Sequence, residues 1–197
     1  MSIVEQLTSV KNKVGFLLEN YPNLREDDKK LWISYLVMFH HLQDVLTRPH
    51  PFDALCNMLL RESVPGSETI RRIRQKFQET GLYGKNTQNA PVAHKNAFNV
   101  KSRVEHLLKN YDALRDNDMQ LWLSYLSMFH NLKGRINEAV NAYDEFCDIV
   151  LDKEVPTMES IRRSRQAFQE RGLYVGVKRS ERLNAAKKVS EWAKGSF

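Results

Sequence analysis

Hydrophobic positions along the chain recur at helical spacing from one end to the other. Val10, Val14, Leu17 and Leu18 share one face at i, i+4 and i+7, which predicts a first helix over about Ser2 to Asn20. A second helix, over about 27–46, opens at Asp27 and Asp28, whose charges suit a helix N-terminus, and carries Trp32, Leu36 and Phe39 on one stripe. Pro51, suited to a first turn, starts a third helix that reaches Glu62. The fourth follows Val64-Pro65, covers about 67–80 and stops at Gly81, the residue expected at a helix C-terminus. The series then returns. Val100, Val104, Leu107 and Leu108 mark a helix over about 101–110, and Asp116 and Asp118 precede Trp122, Leu126 and Phe129 over about 116–134. Further helices are predicted over about Ile136 to Lys153 and over 157–171, the latter ending at Gly172. No segment alternates with period two for long enough to form a strand; Leu82 to Lys85 is the one place for a short wing.

The return is a duplication. Residues 11–42 align without gaps to residues 101–132 with 18 of 32 positions identical, and residues 64–83 align to 155–174 with 14 of 20 identical. Between these blocks, residues 43–63 and 133–154 differ in length by one and share little, as a freely varying segment does beside two constrained ones. The polar stretch GKNTQNAPVAHKNA, with its Gly and Pro, reads as a linker. The expected architecture is all-α: two tandem helix-turn-helix-like modules at 1–83 and 98–176, joined by the linker 84–97 and followed by a basic C-terminal helix at 177–197.

Composition narrows the classes of function. With 42% hydrophobic and 27% charged residues, the 197-residue chain can bury a core. Uncharged runs such as Leu31 to Leu42 are polar-studded and too short for a membrane span, and the N-terminus has a glutamate where a signal peptide carries its basic region. Cys56 and Cys147 are too few for a disulfide scaffold and sit in apolar helical surroundings. A cytoplasmic protein that touches no membrane is expected. The net charge of +6 is unevenly placed: residues 1–90 contribute +2, residues 91–177 contribute none, and residues 178–197 contribute +4. An indiscriminate polycation is not expected, so nucleic-acid binding has to rest on local patches.

The fourth helix of each copy supplies such a patch. In ETIRRIRQKFQETG, spacing residues at 100° puts Ile70, Ile73 and Phe77 on one side and leaves Glu68, Arg71, Arg72, Gln75 and Gln78 on the other. ESIRRSRQAFQERG repeats the arrangement with Glu159, Arg162, Arg163, Gln166 and Gln169 opposite Ile161 and Phe168. Arginine forks onto guanine O6 and N7, and glutamine pairs with adenine N6 and N7. The VPGS and VPTM turns would bring the N-terminus of each such helix to a groove. The pattern of Pro, Ser-Ile-Arg-Arg-x-Arg-Gln and Gly-Leu, then basic residues and Ala186, Val189 and Trp192, resembles small helix-turn-helix or winged-helix proteins encoded by bacteriophages and prophages. The likeness covers residues 155–192 best and 64–83 well. It implies recognition helices at 157–171 and 67–80 and a place inside a bacterial host cell. The basic segment from Val177 to Lys194 reads as a helix where a winged helix has a β-hairpin.

Competing readings exist for each feature. The arginines of the fourth helices could instead form a solvated face paired to Glu68, Glu79, Glu159 or Glu170. The stripe of Trp32, Tyr35 and Phe39 suits core packing better than base stacking. His40 and His130 recur without further ligands at suitable spacing, so no metal is expected; with no phosphate loop or nucleophile motif, no cofactor or catalytic residue is expected either. Asp28 and Asp118 read as helix caps, and Asp144, Glu145, Asp148, Asp152 and Glu154 as a solvated acidic face. The reading that follows is a non-enzymatic protein that binds double-stranded DNA, a phage regulator of transcription or a replication factor. Its contacts would be Arg71, Arg72, Gln75, Gln78, Arg162, Arg163, Gln166 and Gln169, with Lys178, Arg179, Arg182, Lys187 and Lys188 of the tail on phosphates. The alternative is a protein-interaction module that turns the same faces toward a host or defence protein.

Overall fold

A computed structural model describes residues 7–83, 97–177 and 181 of the chain. The tail residues Lys178, Arg179, Arg182, Lys187 and Lys188, the start of the predicted first helix, and linker residues 84–96 lie outside the described residues. The described residues form α-helices and short 3-10 turns, with no strand among them, so the all-α expectation holds. The helices are α1 (Val10–Asn20), α2 (Asp28–His40), α3 (Leu42–Leu46), α4 (Pro51–Leu59), α5 (Ser67–Glu79), α6 (Ala97–Asn110), α7 (Asp118–His130), α8 (Leu132–Glu138), α9 (Ala142–Leu151) and α10 (Met158–Glu170). The 3-10 turns Pro22–Leu24 and Asp112–Arg115 precede α2 and α7.

Local chemistry sets the boundaries that periodicity missed. Ser9 accepts a hydrogen bond from the Asn12 N–H at 3.1 Å, so α1 starts at Val10 and not near Ser2. The predicted helices over 27–46 and 116–134 are each broken, at His41 (φ 53°) and Asn131 (φ 51°). A residue in the left-handed region ends an α-helix, and a polar residue tolerates it better than a β-branched one. The apolar residue after each break, Leu42 or Leu132, is buried completely. The helix predicted over 136–153 also divides, because Asn141 accepts from the Tyr143 and Asp144 N–H groups and starts α9 anew. Both Arg-rich helices end in a Schellman turn. Gly81 (φ 81°) and Gly172 (φ 76°) supply the left-handed residue, and the Leu82 and Leu173 N–H groups donate to the Phe77 and Phe168 carbonyls at 3.0 Å.

The chain forms two compact units, one from Met1–Lys95 with Leu126–Val155 and one from Asn96–Tyr125 with Pro156–Phe197. Their limits do not follow the sequence repeat: α8 and α9, counted with the second copy, lie in the first unit. In that unit Val14, Leu17, Leu36, Leu55 and Ile70 are wholly buried together with Leu132, Ile136 and Phe146. The Phe146 ring lies 6.4 Å from that of Trp32. Lys29 Nζ donates to the carbonyls of Asp152 (2.7 Å) and Val155 (3.5 Å) just beyond the end of α9, and burial pushes its pKa down against the attraction of Asp152 and Asp27. Asn137 Oδ1 accepts from the Phe52 N–H in the first turn of α4. The helices of the two variable segments, α3 and α4 with α8 and α9, therefore pack on one another.

In the second unit α10 packs along α6, with Val104, Leu107, Leu108, Leu121 and Ile161 fully buried. Trp122 is buried and its indole N–H donates to the Pro156 carbonyl at 3.4 Å; Trp32 does the same to Pro65 at 3.0 Å. The expected core role of both tryptophans is thus seen, and the repeated Val-Pro turn provides their acceptor. Replacing either tryptophan by Ala removes a buried ring and its polar anchor. Each change is expected to lower stability by about 3–5 kcal/mol in denaturant melts of the full chain.

Candidate nucleic-acid interface

The inner side of each Arg-rich helix is built around an inward-facing guanidinium, fully buried for Arg74 and 13% exposed for Arg165. Arg74, fully buried on α5, donates from Nε to Asp28 Oδ1 at 2.8 Å and from Nη1 to the Arg25 carbonyl at 2.7 Å and Gln78 Oε1 at 3.1 Å. Gln78 Nε2 donates to the same Arg25 carbonyl at 3.1 Å. On α10, Arg165 repeats these bonds to Asp118 Oδ1 (2.9 Å), the Arg115 carbonyl (2.6 Å) and Gln169 Oε1 (3.2 Å), with Gln169 Nε2 on the Arg115 carbonyl at 2.8 Å. Two expectations are corrected here. Gln78 and Gln169 are buried and not exposed, because each accepts from an inward-facing arginine one turn earlier. Asp28 and Asp118 are ion-pair partners and not caps. Asp27, which accepts from the Lys29 and Lys30 N–H groups, and Asn117, which accepts from Gln120, cap those helices.

Further repeated residues close the network. Arg25 Nε donates to the Leu18 carbonyl at 2.8 Å with its guanidinium 5.3 Å from the Tyr83 ring; Arg115 does so to Leu108 at 3.0 Å and lies 5.7 Å from Tyr174. Those tyrosines, with positive φ, meet Phe77 and Phe168 edge-on, and Lys11 and Lys101 lie over the same two phenylalanine rings. Most identities between the two copies are thereby accounted for by folding.

The outer side of the same helices carries repeated residues that folding does not use in this way. At 100° per residue Glu68, Arg71, Arg72, Gln75 and Glu79 fall in one stripe, and Glu159, Arg162, Arg163, Gln166 and Glu170 in its twin. Glu68 receives Arg71 Nε and Nη2 at 2.6 and 2.7 Å and Arg72 Nε at 2.8 Å; Glu159 receives Arg162 at 2.6 and 2.8 Å and Arg163 Nε at 2.7 Å. Each glutamate thus binds two arginines in different ways. Arg71 and Arg162 are gripped by two nitrogens and their side chains are 29% and 24% exposed. Arg72 and Arg163 are held at Nε in these bonds and are 60% and 69% exposed. Gln75 and Gln166 are half-buried. Burial alone would raise the Glu68 pKa, but the hydrogen bonds and charges of Arg71 and Arg72 outweigh it and hold the carboxyl below its usual value. Two acids and two bases leave each stripe without net charge.

Elsewhere the acidic residues of the 144–154 segment engage locally. Asp144 accepts from Asn141, Glu145 pairs with Arg135, and Asp152 accepts from the Glu154 N–H. Cys56 and Cys147 are free and half-buried; burial, ahead of the nearby Asp53, pushes the Cys56 thiol up to about 11. Among the described residues no group of His, Cys, Asp or Glu is placed to hold a metal, and no helix is long and apolar enough to cross a membrane. Tyr21 and Tyr111, identical in the two copies, are exposed at 42% and 48%. Comparison with family models, curated proteins and solved structures returns no match to this chain.

The two kinds of arginine differ in what their removal costs. Arg74→Ala strands the Asp28 carboxylate and the Gln78 amide and is expected to cost about 3–5 kcal/mol. Arg72→Ala removes one exposed i, i+4 pair and should cost under about 0.5 kcal/mol. Urea melts of the two variants check the contrast. Because the Glu68 pKa is depressed in the folded state, its pairing adds stability above the unfolded-state value, and this is lost as pH falls through the folded value. Glu68→Gln should therefore weaken the acid-side fall of stability, read as a shallower drop in melting temperature through the carboxylate range.

Proposed function

We propose that this protein is a non-enzymatic binder of double-stranded DNA that reads bases with Arg72 and Gln75 of α5 and with Arg163 and Gln166 of α10. One observation carries the reading. In both copies the most exposed arginine of the helix is fixed through Nε by a glutamate whose side chain is largely buried, and these hydrogen bonds leave unused the edge formed by the outer guanidinium nitrogens. Such an edge is the group that pairs with guanine O6 and N7. Magnitudes favour compatibility between pairing and reading. An exposed intrahelical pair is worth about 0.3–0.5 kcal/mol, whereas a bidentate contact with the right base discriminates by about 1–3 kcal/mol. Binding through Nη1 and Nη2 would leave the Nε pair intact. Arg71 and Arg162 move from readers to supports in this view, and Gln78 and Gln169 drop out. General affinity for duplex would come from the basic 178–197 segment, in keeping with the likeness to phage helix-turn-helix proteins that act in a bacterial cytoplasm.

A second reading rests on Tyr21 and Tyr111. A tyrosine kept in both copies yet about half exposed suits a protein partner, since such residues are enriched in protein interfaces. The two readings separate in one experiment. Binding of the full chain to duplexes selected from a random pool is measured by fluorescence anisotropy across a salt series. Arg163→Ala is expected to cost about 1–3 kcal/mol on the selected site and to relax one base pair. Lys187→Ala with Lys188→Ala should weaken binding on every duplex and flatten the salt dependence. Absence of duplex binding at low salt would reject the DNA reading in favour of the protein partner.

A further inference from the structure

We infer that Glu68 and Glu159 are positioning residues that determine the specificity of the two stripes: each mounts a reading arginine and at the same time repels phosphate. The inference rests on the DNA reading above and adds a role for residues that reading does not require. The carboxylate side chains are only 14% and 16% exposed, so they are held by the helix and do not wander over its surface. Each accepts three hydrogen bonds from two arginines, and corresponding lengths in the two copies differ by no more than 0.1 Å. This identity survives changed neighbours, Ile73 against Ser164 and Lys76 against Ala167.

The division of labour on each carboxylate has two consequences. Arg71 and Arg162 spend two nitrogens on it and serve to hold its charge and direction. Arg72 and Arg163 give it Nε, so the side chain is ordered before any base arrives, and less rotamer freedom remains to be lost on contact. The carboxylate also cancels charge. Together with Glu79 and Glu170 it leaves the stripes electrically neutral, so they gain nothing from counterion release on arbitrary phosphates. A plain helix-start role for glutamate is the competing explanation, since a negative charge in the first turn is favourable there. That role needs the charge but not the mount, and shortening the side chain separates the two.

The test uses the full chain, the duplex that wild type enriches from a random pool, and a shuffled duplex of the same composition. Glu68→Gln with Glu159→Gln should tighten binding to the shuffled duplex by about tenfold, and steepen the log-log salt dependence by about 0.9 for each additional phosphate neutralised. The ratio of selected to shuffled affinity should fall accordingly. Glu68→Asp with Glu159→Asp keeps the charge but shortens the reach to Nε. It should leave shuffled binding weak while the selected site loses about tenfold, a loss within the range of one bidentate base contact. The Asp chain also carries the test should the Gln chain melt out. If both chains keep the wild-type ratio and salt dependence while Arg72→Ala with Arg163→Ala loses the preference, the inference fails and the DNA reading stands. If wild type binds neither duplex at low salt, both fall together.

Discussion

A guanidinium with no exposed surface is the constraint on which the rest of the molecule depends. Moving an arginine out of water costs several kcal/mol, and the cost is offset by acceptors for its donors and a counter-charge close by. Arg74 has its counter-charge in Asp28 and acceptors for Nε and Nη1 in Asp28, the Arg25 carbonyl and Gln78, while its Nη2 is buried without a hydrogen-bond partner among the described residues; Arg165, 13% exposed, repeats these bonds with Asp118, the Arg115 carbonyl and Gln169. Each set ties a helix near the end of its copy to the start of another far earlier in the chain. Removing Asp28 alone would leave the Arg74 guanidinium buried without its counter-charge. That is a physical reason for the two copies to share Arg, Gln and Asp at those places.

The same constraint sets the outward face. With Ile70 and Arg74 directed inward on α5, a helix of 3.6 residues per turn has to direct Glu68, Arg72 and Gln75 outward, and α10 obeys the same geometry. The rotation of these outward residues is thus a consequence of the inward pair. The glutamate pairing then adjusts how far each arginine projects, giving one gripped and one projecting side chain from two adjacent residues of identical type.

The varying segments have a different logic. Residues 43–63 and 133–154 show little identity, yet α3 and α4 pack with α8 and α9 in one compact unit. Helices that meet each other have to be complementary in shape, not alike, so two copies that join through these segments are free to diverge there. Asn137 at the start of α4 and Lys29 beyond the end of α9 show such complementarity in polar form, each satisfying backbone groups that a helix end leaves open.

Sequence alone determined the helical class, the duplication, the buried tryptophans and the approximate place of each Arg-rich helix, because apolar spacing and terminal Gly and Pro are local properties of a chain. The breaks at His41 and Asn131 escaped it, since the apolar pattern runs on through a single left-handed residue. Tertiary structure alone decided which of the repeated polar residues turn inward. Read from sequence, Gln78 falls with the outward residues, although at 100° per residue it lies near the border of the apolar face beside Arg74, and whether a border residue is buried depends on the distant partners Arg25 and Asp28. It decided likewise that Asp27 caps α2 while its neighbour Asp28 neutralises Arg74, two acids that composition cannot distinguish. The assignment of α8 and α9 to the first compact unit has the same origin. Burial of Phe146 beside Trp32 is a contact between distant segments, and no local pattern encodes it.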